Sequence, residues 1–311
     1  MDPSLREDPS MKRTLTASLL FGLLLIQCSG GEKMKTVLEN KKLSPKLPSG
    51  YYTSKIGKIA YWIEGKGKPV FLLHSAGHDH NDFESILPSL SEKYKVISLD
   101  WPGHGLSENP QPTTSASAVE YAGILPDLVS QLAPEGATFI GNSLGGFASM
   151  NLAVQRPELV KGLVIVDSGG LNDPDWITKS FAGLKSKVWF TGLVWNVFPN
   201  HYIKIRNKYT ESILAGIKER ENVEGAKEVN ASIWKSFLDE RHDLREKVSQ
   251  IQAPTLIIWG EYDPVIDPKL ALRLHEKVKG SKLAYLKTGH VPFAENPKEF
   301  LKVTLPFLDS L

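Results

Sequence analysis

Short apolar runs alternate with helical spacing from about residue 56 onward. Ile56–Glu64 alternates loosely and predicts a first strand, turned at Gly65-Lys66-Gly67. Val70–Leu73, Tyr94–Leu99, Ala137–Ile140, Leu163–Val166 and Thr255–Trp259 are near-continuous apolar runs, the pattern of strands covered on both faces. Lys282–Leu286 predicts a last short strand. Between them, Phe83–Leu90, Ser115–Leu132, Leu144–Val154, Leu270–Val278 and Pro297–Leu308 carry helical periodicity. Pro126 is expected to kink or restart the second of these and Pro306 to end the last early, because proline removes a helical N–H donor. Strand and helix in alternation predict an α/β fold with a mostly parallel sheet and helices on both faces.

The rhythm breaks once. Residues 171–250 contain no convincing central strand but are rich in Trp, Phe and Tyr, so a structured helical cap over the carboxyl ends of the strands is expected. The core is then 50–170 together with 251–311. Ahead of it, Lys12-Arg13 and the apolar stretch Leu15–Ile26 read as an export signal, too short for a comfortable membrane span. Met11 reads as the more natural start, because Met1–Ser10 is acidic and polar. Residues 1–31 are thus a leader and 32–49 a polar tether.

Cys28 is the only cysteine, so no intrachain disulfide can form. Cys28-Ser29-Gly30-Gly31 closes the apolar run in a way that resembles the lipobox of bacterial lipoproteins, although Gln27 stands where a small residue is usual. The expectation is an exported, lipid-anchored protein, with plain secretion or cytoplasmic residence as alternatives. The charge balance, 37 basic against 35 acidic residues, and the lack of a long basic stripe point away from nucleic acid.

The most informative chemistry is Gly141-Asn142-Ser143-Leu144-Gly145, between a predicted strand and a predicted helix. Glycines at both ends let the chain turn sharply and present the Ser143 hydroxyl at the tip. A serine needs a base within reach and a group to orient that base. His290 lies in a glycine-containing loop after the last strand and Asp263 in the loop after the preceding one. Their chain order is nucleophile, acid, base. Each has a plainer reading: Ser143 as a helix cap, Asp263 as a turn former before Pro264, His290 as a structural histidine. Asp167, after Leu163–Val166, is a rival acid. Glu295 is expected to cap the last helix or pin the His290 loop, while Glu261 and Asp267 read as solvent or helix-start groups. An oxyanion would be met by the N–H of Leu144 and of Ala76 in His74-Ser75-Ala76-Gly77-His78. His74 is expected to order that loop with Ser75, and His78 to line a pocket mouth. His78-Asp79-His80 is too sparse a set for a metal site. No P-loop or dinucleotide fingerprint is present. No metal or cofactor is expected. Trp189, Trp195 and Trp234 are candidate pocket residues, and Arg206, Arg241 and His242 candidate partners for an ionic substrate.

Taken as a set, the His74 loop, Asp100–Ser107, Gly141–Gly146, Trp259–Asp263 and Gly289–Glu295 resemble the α/β-hydrolase superfamily over roughly Ser49–Leu311. Within it the chain looks like the capped group of epoxide hydrolases, haloalkane dehalogenases, carbon–carbon bond hydrolases, proline iminopeptidases and small esterases. The resemblance implies Ser143 as nucleophile, His290 as base, Asp263 as acid, and Leu144 and Ala76 as oxyanion donors. Epoxide hydrolases and haloalkane dehalogenases of this group use an aspartate nucleophile, so Ser143 argues against both. His74-Ser75 departs from the usual His-Gly, which bears on Ala76 more than on Leu144. The expected activity is hydrolysis of a small, partly apolar ester. The alternatives are a vinylogous diketone, an amide or a lactone as substrate, or a tethered binding domain without catalysis.

Overall fold

The computed structural model describes residues 47–171 and 176–311. The leader, the tether up to residue 46 and Cys28 lie outside the described residues. Among those described, the strands are β1 (Gly50–Ser54), β2 (Gly57–Glu64), β3 (Pro69–Leu73), β4 (Lys95–Leu99), β5 (Ala137–Asn142), β6 (Val160–Val166), β7 (Thr255–Gly260) and β8 (Lys282–Leu286). They form one sheet in the order β1-β2-β4-β3-β5-β6-β7-β8. β2 runs antiparallel to β1 and β4, and every other pairing is parallel. Parallel strands need crossovers, and the helices supply them.

The helices are α1 (Leu87–Ser91), α2 (Ala118–Leu132), α3 (Leu144–Gln155), α4 (Trp176–Lys185), α5 (Val188–Leu193), α6 (Val197–Tyr202), α7 (Lys208–Arg220), α8 (Ala226–Ser236), α9 (Lys269–Lys277), α10 (Pro292–Glu295) and α11 (Pro297–Asp309). Helices α4–α8 form an inserted helical region between β6 and β7, consistent with a cap. β3 and β5 sit in the middle of the sheet, and β5 and β7 are buried along their whole length. One face packs Phe71, Phe139, Ile165 and Ile257 against α2, α3 and α9, and the other packs Leu72, Ile140, Val164 and Ile258 toward Phe83, Phe293 and Phe300. No helix among the described residues is long and apolar enough to cross a membrane.

Three local expectations are corrected. α2 passes through Pro126 without restarting, because Tyr121, Ile124, Leu125, Leu128 and Val129 bury one continuous face that outweighs the lost hydrogen bond. α11 likewise continues through Pro306 to Asp309, held by buried Phe300, Thr304, Phe307 and Leu308. The helix expected at Phe83–Leu90 is two shorter pieces, a 3₁₀ turn at His80–Phe83 capped by Asp79, and α1.

Candidate active site

β5 ends in a sharp turn into α3, and Ser143 occupies the junction with φ 53° and ψ −107°. A serine in that region is strained and persists only where its surroundings dictate it. They do so from several sides. Ser143 N donates to Val166 O at 3.0 Å, and Ser143 O accepts from the N–H of Phe147 and of Gly169. A Cβ on Gly141 would sit 2.4 Å from Gly145 O, and one on Gly145 would sit 2.1 Å from Leu73 O. Both glycines are therefore required by close backbone approach. The N–H of Leu144 opens α3, and neither it nor the Ala76 N–H takes up an acceptor among the described residues.

His290 and Asp263 lie in contact. His290 Nδ1 lies 2.7 Å from Asp263 Oδ2, both residues buried. The second oxygen of Asp263 accepts from Val265 N at 2.8 Å and Ile266 N at 3.3 Å, which fixes the carboxylate plane. Because Nδ1 faces a carboxylate, it is the ring nitrogen that donates, leaving Nε2 to accept. Asn142, the residue before Ser143, donates Nδ2–H to His290 O at 3.0 Å and to Val166 O at 3.2 Å. This brace ties the serine turn to the histidine loop. It was missed in the sequence, where Asn142 carries no signal beyond its place before a serine.

Asp167 is the third acidic neighbour. Asp167, Asp263 and His290 each offer an atom, all within 4.8 Å of one another. Asp167 has φ 42°, and its Oδ1 accepts from Gly260 N at 2.8 Å. Complete burial, then the nearby Asp263 carboxylate, push its carboxyl well above the ordinary aspartate range. The hydrogen bond to the imidazole belongs to Asp263.

Glu295 pins the His290 loop, the second of its two expected roles. Its Oε2 accepts from the N–H of Gly289, Lys204 and Ile205 at 2.8–2.9 Å, and Oε1 from Val291 N at 3.3 Å. The capping of α11 falls instead to Asn296. The loop after β3 is ordered by His74. Its Nδ1 donates to Ser75 O at 2.7 Å, Nε2 accepts from Trp101 N at 3.0 Å, and burial pushes its pKa down to about 4. His74 is therefore a neutral structural ring, and Ser75 serves it through a carbonyl. Gly77 N adds a bond to His104 Nε2.

His78 does not line a pocket mouth. It is buried, with Nδ1 2.8 Å from Asp82 Oδ2 and Nε2 2.5 Å from Tyr202 Oη. Tyr202, at the end of α6, stands edge-on to His290 with ring centroids 5.4 Å apart, and its carbonyl accepts from His290 N. The Asp82–His78–Tyr202 chain thus supports the ring that roofs His290. His80 stacks on Trp62 and bonds Asp100, whose two oxygens also accept from His80 N and Leu106 N. The Asp79, His80 and Asp100 side chains lie close enough for a metal, but His80 and Asp100 are spent on ordering this turn.

The cap candidates divide. Trp195 is buried with its Nε1–H on Ile217 O, so it belongs to the cap's own core. Trp189 is 66% exposed and is no wall of a buried pocket. Trp234 packs edge-on against Phe181, Phe198 and Phe237, all half-buried. Arg206 bonds Asn200 Oδ1, and Arg241 pairs with Asp239, both at the surface. His242 is enclosed by Phe147 and Phe237, and burial pushes its pKa down to about 4. None of these three supplies a cation to the site.

Residues 68–297 match the family described as alpha/beta hydrolase fold. A pimeloyl-[acyl-carrier protein] methyl ester esterase of Neisseria meningitidis is 26% identical, covering 78% of this chain and 94% of that protein. Lipase 1 of Psychrobacter immobilis is 25% identical over 91% of this chain and 93% of its own. Among solved structures, the enol-lactonase of Burkholderia xenovorans LB400 shares the fold with a TM-score of 0.72 at 22% identity, covering 84% of this chain and all of that one. The sheet order, the serine turn and the family match agree: this chain belongs to the α/β-hydrolase fold family.

Proposed function

We propose that the protein hydrolyses small, partly apolar carboxylic esters, and lactones by the same attack, through an acyl-enzyme on Ser143. The observation that carries this reading is the Asp263–His290 hydrogen bond, braced through Asn142 to a serine held at positive φ. His290 Nε2 takes the Ser143 proton as Oγ attacks the carbonyl. The N–H groups of Leu144 and Ala76 receive the oxyanion, and each such donor contributes about 3 kcal/mol. The imidazolium, stabilised by Asp263, then protonates the leaving alkoxide. Water activated by the same ring clears the acyl group. The half-buried rings of the cap suit an apolar acyl or aryl part. Ester cleavage by the Neisseria esterase and lactone cleavage by the Burkholderia enzyme support the substrate class.

In this reading a leader at 1–31 and a tether at 32–49 export the protein with a lipid on Cys28, ahead of a core at 50–170 and 251–311 and a cap at 171–250. The test of the chemistry is turnover of a p-nitrophenyl ester panel by wild type and Ser143→Ala. The variant is expected to lose about 10⁴-fold or more in kcat. Full activity in Ser143→Ala removes Ser143 as the nucleophile and the proposal with it.

A further inference from the structure

Lys185, the last residue of α4, is a lysine where the cap should be apolar. It is 3% exposed, yet among the described residues no carboxylate pairs with its ammonium. Its Nζ lies instead over two ring faces, 5.2 Å from the centroid of Phe198 and 5.3 Å from that of Trp234. Burying an ammonium without an anion is costly, and ring faces offset only part of that cost.

The same rings lead to the candidate active site. Phe198 packs on Tyr202 at 5.2 Å, and Tyr202 on His290 at 5.4 Å. On the other side, Trp234 packs on Phe237 at 5.3 Å, Phe237 on His242 at 5.0 Å, and His242 on Phe147 at 4.2 Å in the helix that Ser143 opens. Phe181, Phe198 and Trp234 touch one another and Phe237 touches Trp234, yet each stays half-buried. Rings that pack together and still keep exposed area offer an apolar surface against which a substrate chain can lie. The lysine sits among those rings, 3% exposed.

We propose that Lys185 is an anion-binding residue of the cap, and that the preferred substrate carries a carboxylate at the end of its acyl chain remote from the scissile ester. The aromatic rings hold the methylenes, and the ammonium receives the distal charge in a site with little water, where a charge-assisted hydrogen bond is strong. Burial pushes the Lys185 ammonium down to about 8, in keeping with a cation that lacks a permanent partner. The inference depends on the ester-hydrolase reading only for which end of the substrate reacts.

Two measurements test it, and one needs no turnover. By isothermal titration calorimetry on the full chain, hexanoate should bind wild type about tenfold more tightly than hexanamide. That advantage should vanish in Lys185→Met and return in part in Lys185→Arg. Hexanoate, but not hexanamide, should also protect Lys185 of the wild type from acetylation by acetic anhydride, read by peptide mass spectrometry. This arm stands even where a variant fails to fold. For turnover, the ratio of kcat/KM for mono-p-nitrophenyl glutarate over p-nitrophenyl butyrate should fall about tenfold or more in Lys185→Met. Equal binding of acid and amide by wild type, a preference that survives in Lys185→Met, or acetylation unaffected by hexanoate overturns the assignment. Failure to turn over either ester counts against the hydrolase reading, while hexanoate binding still decides the role of Lys185.

Discussion

Replacing each of the two aspartates beside His290 by asparagine should have opposite consequences. In Asp263→Asn the amide oxygen stays where Val265 N and Ile266 N need an acceptor, which turns the NH₂ toward His290 Nδ1. The imidazole must then accept at Nδ1 and carry its proton on Nε2, the tautomer that cannot take a proton from Ser143. The imidazolium of the transition state also loses its counter-charge. The expected loss is about 10⁴-fold in kcat, or about 5.5 kcal/mol. In Asp167→Asn the amide oxygen still serves Gly260 N, and the NH₂ replaces the carboxyl proton next to Asp263. Activity should stay within about tenfold of wild type. Stability should move the other way from most core substitutions. The unfolded aspartate ionises near 4, whereas native Asp167 ionises well above that. Between those values the native state holds the extra proton, so the wild type loses stability as pH rises through that window. Asp167→Asn removes this loss and should unfold at higher denaturant at neutral pH than wild type, with the gap closing toward pH 4. The assays are p-nitrophenyl butyrate turnover at pH 7.5 and urea unfolding from pH 4 to 8. A loss above about 10³-fold in Asp167→Asn, with less than tenfold in Asp263→Asn, refutes the assignment of the acid.

Gly145→Ala should place a methyl 2.1 Å from Leu73 O, forcing α3 and the Leu144 N–H out of position. The expected cost is about 1–3 kcal/mol in urea unfolding and about 100-fold in kcat. Unchanged kinetics would show that the turn is not held by that contact. Glu295→Gln keeps the shape but weakens the acceptor shared by Gly289, Val291, Lys204 and Ile205, and should cost about 2 kcal/mol in unfolding free energy. Wild-type stability in that variant removes the clamp. Cys28→Ala should abolish detergent-phase partitioning of the exported protein, and an unchanged partition removes the lipid anchor.

The parallel strands were legible because each is a continuous apolar run buried on both faces, as at Ala137–Asn142 and Thr255–Gly260. β1 was not, since Gly50–Ser54 is an edge strand with half its side chains exposed and nothing to distinguish it from the tether. Pro126 and Pro306 misled because proline rules are local, whereas helix persistence is set by the face that packs. Ser143, Asp263 and His290 could be read because each sits in a loop whose glycines, proline and preceding strand announce its geometry. Asn142 and Lys185 act across the fold, through His290 O and the Phe198 and Trp234 rings, and no local spacing encodes such a meeting. The same holds for the Tyr202 contact of His78, which is made 124 residues away.

Glu295 gathers main-chain donors from two places, the histidine loop and the stretch just after α6. One side chain thereby fastens the root of the cap to the segment that carries the imidazole. Tyr202, whose carbonyl accepts from His290 N, is held by the same anchor, so one carboxylate keeps this end of the cap in line with the imidazole on which proton transfer depends.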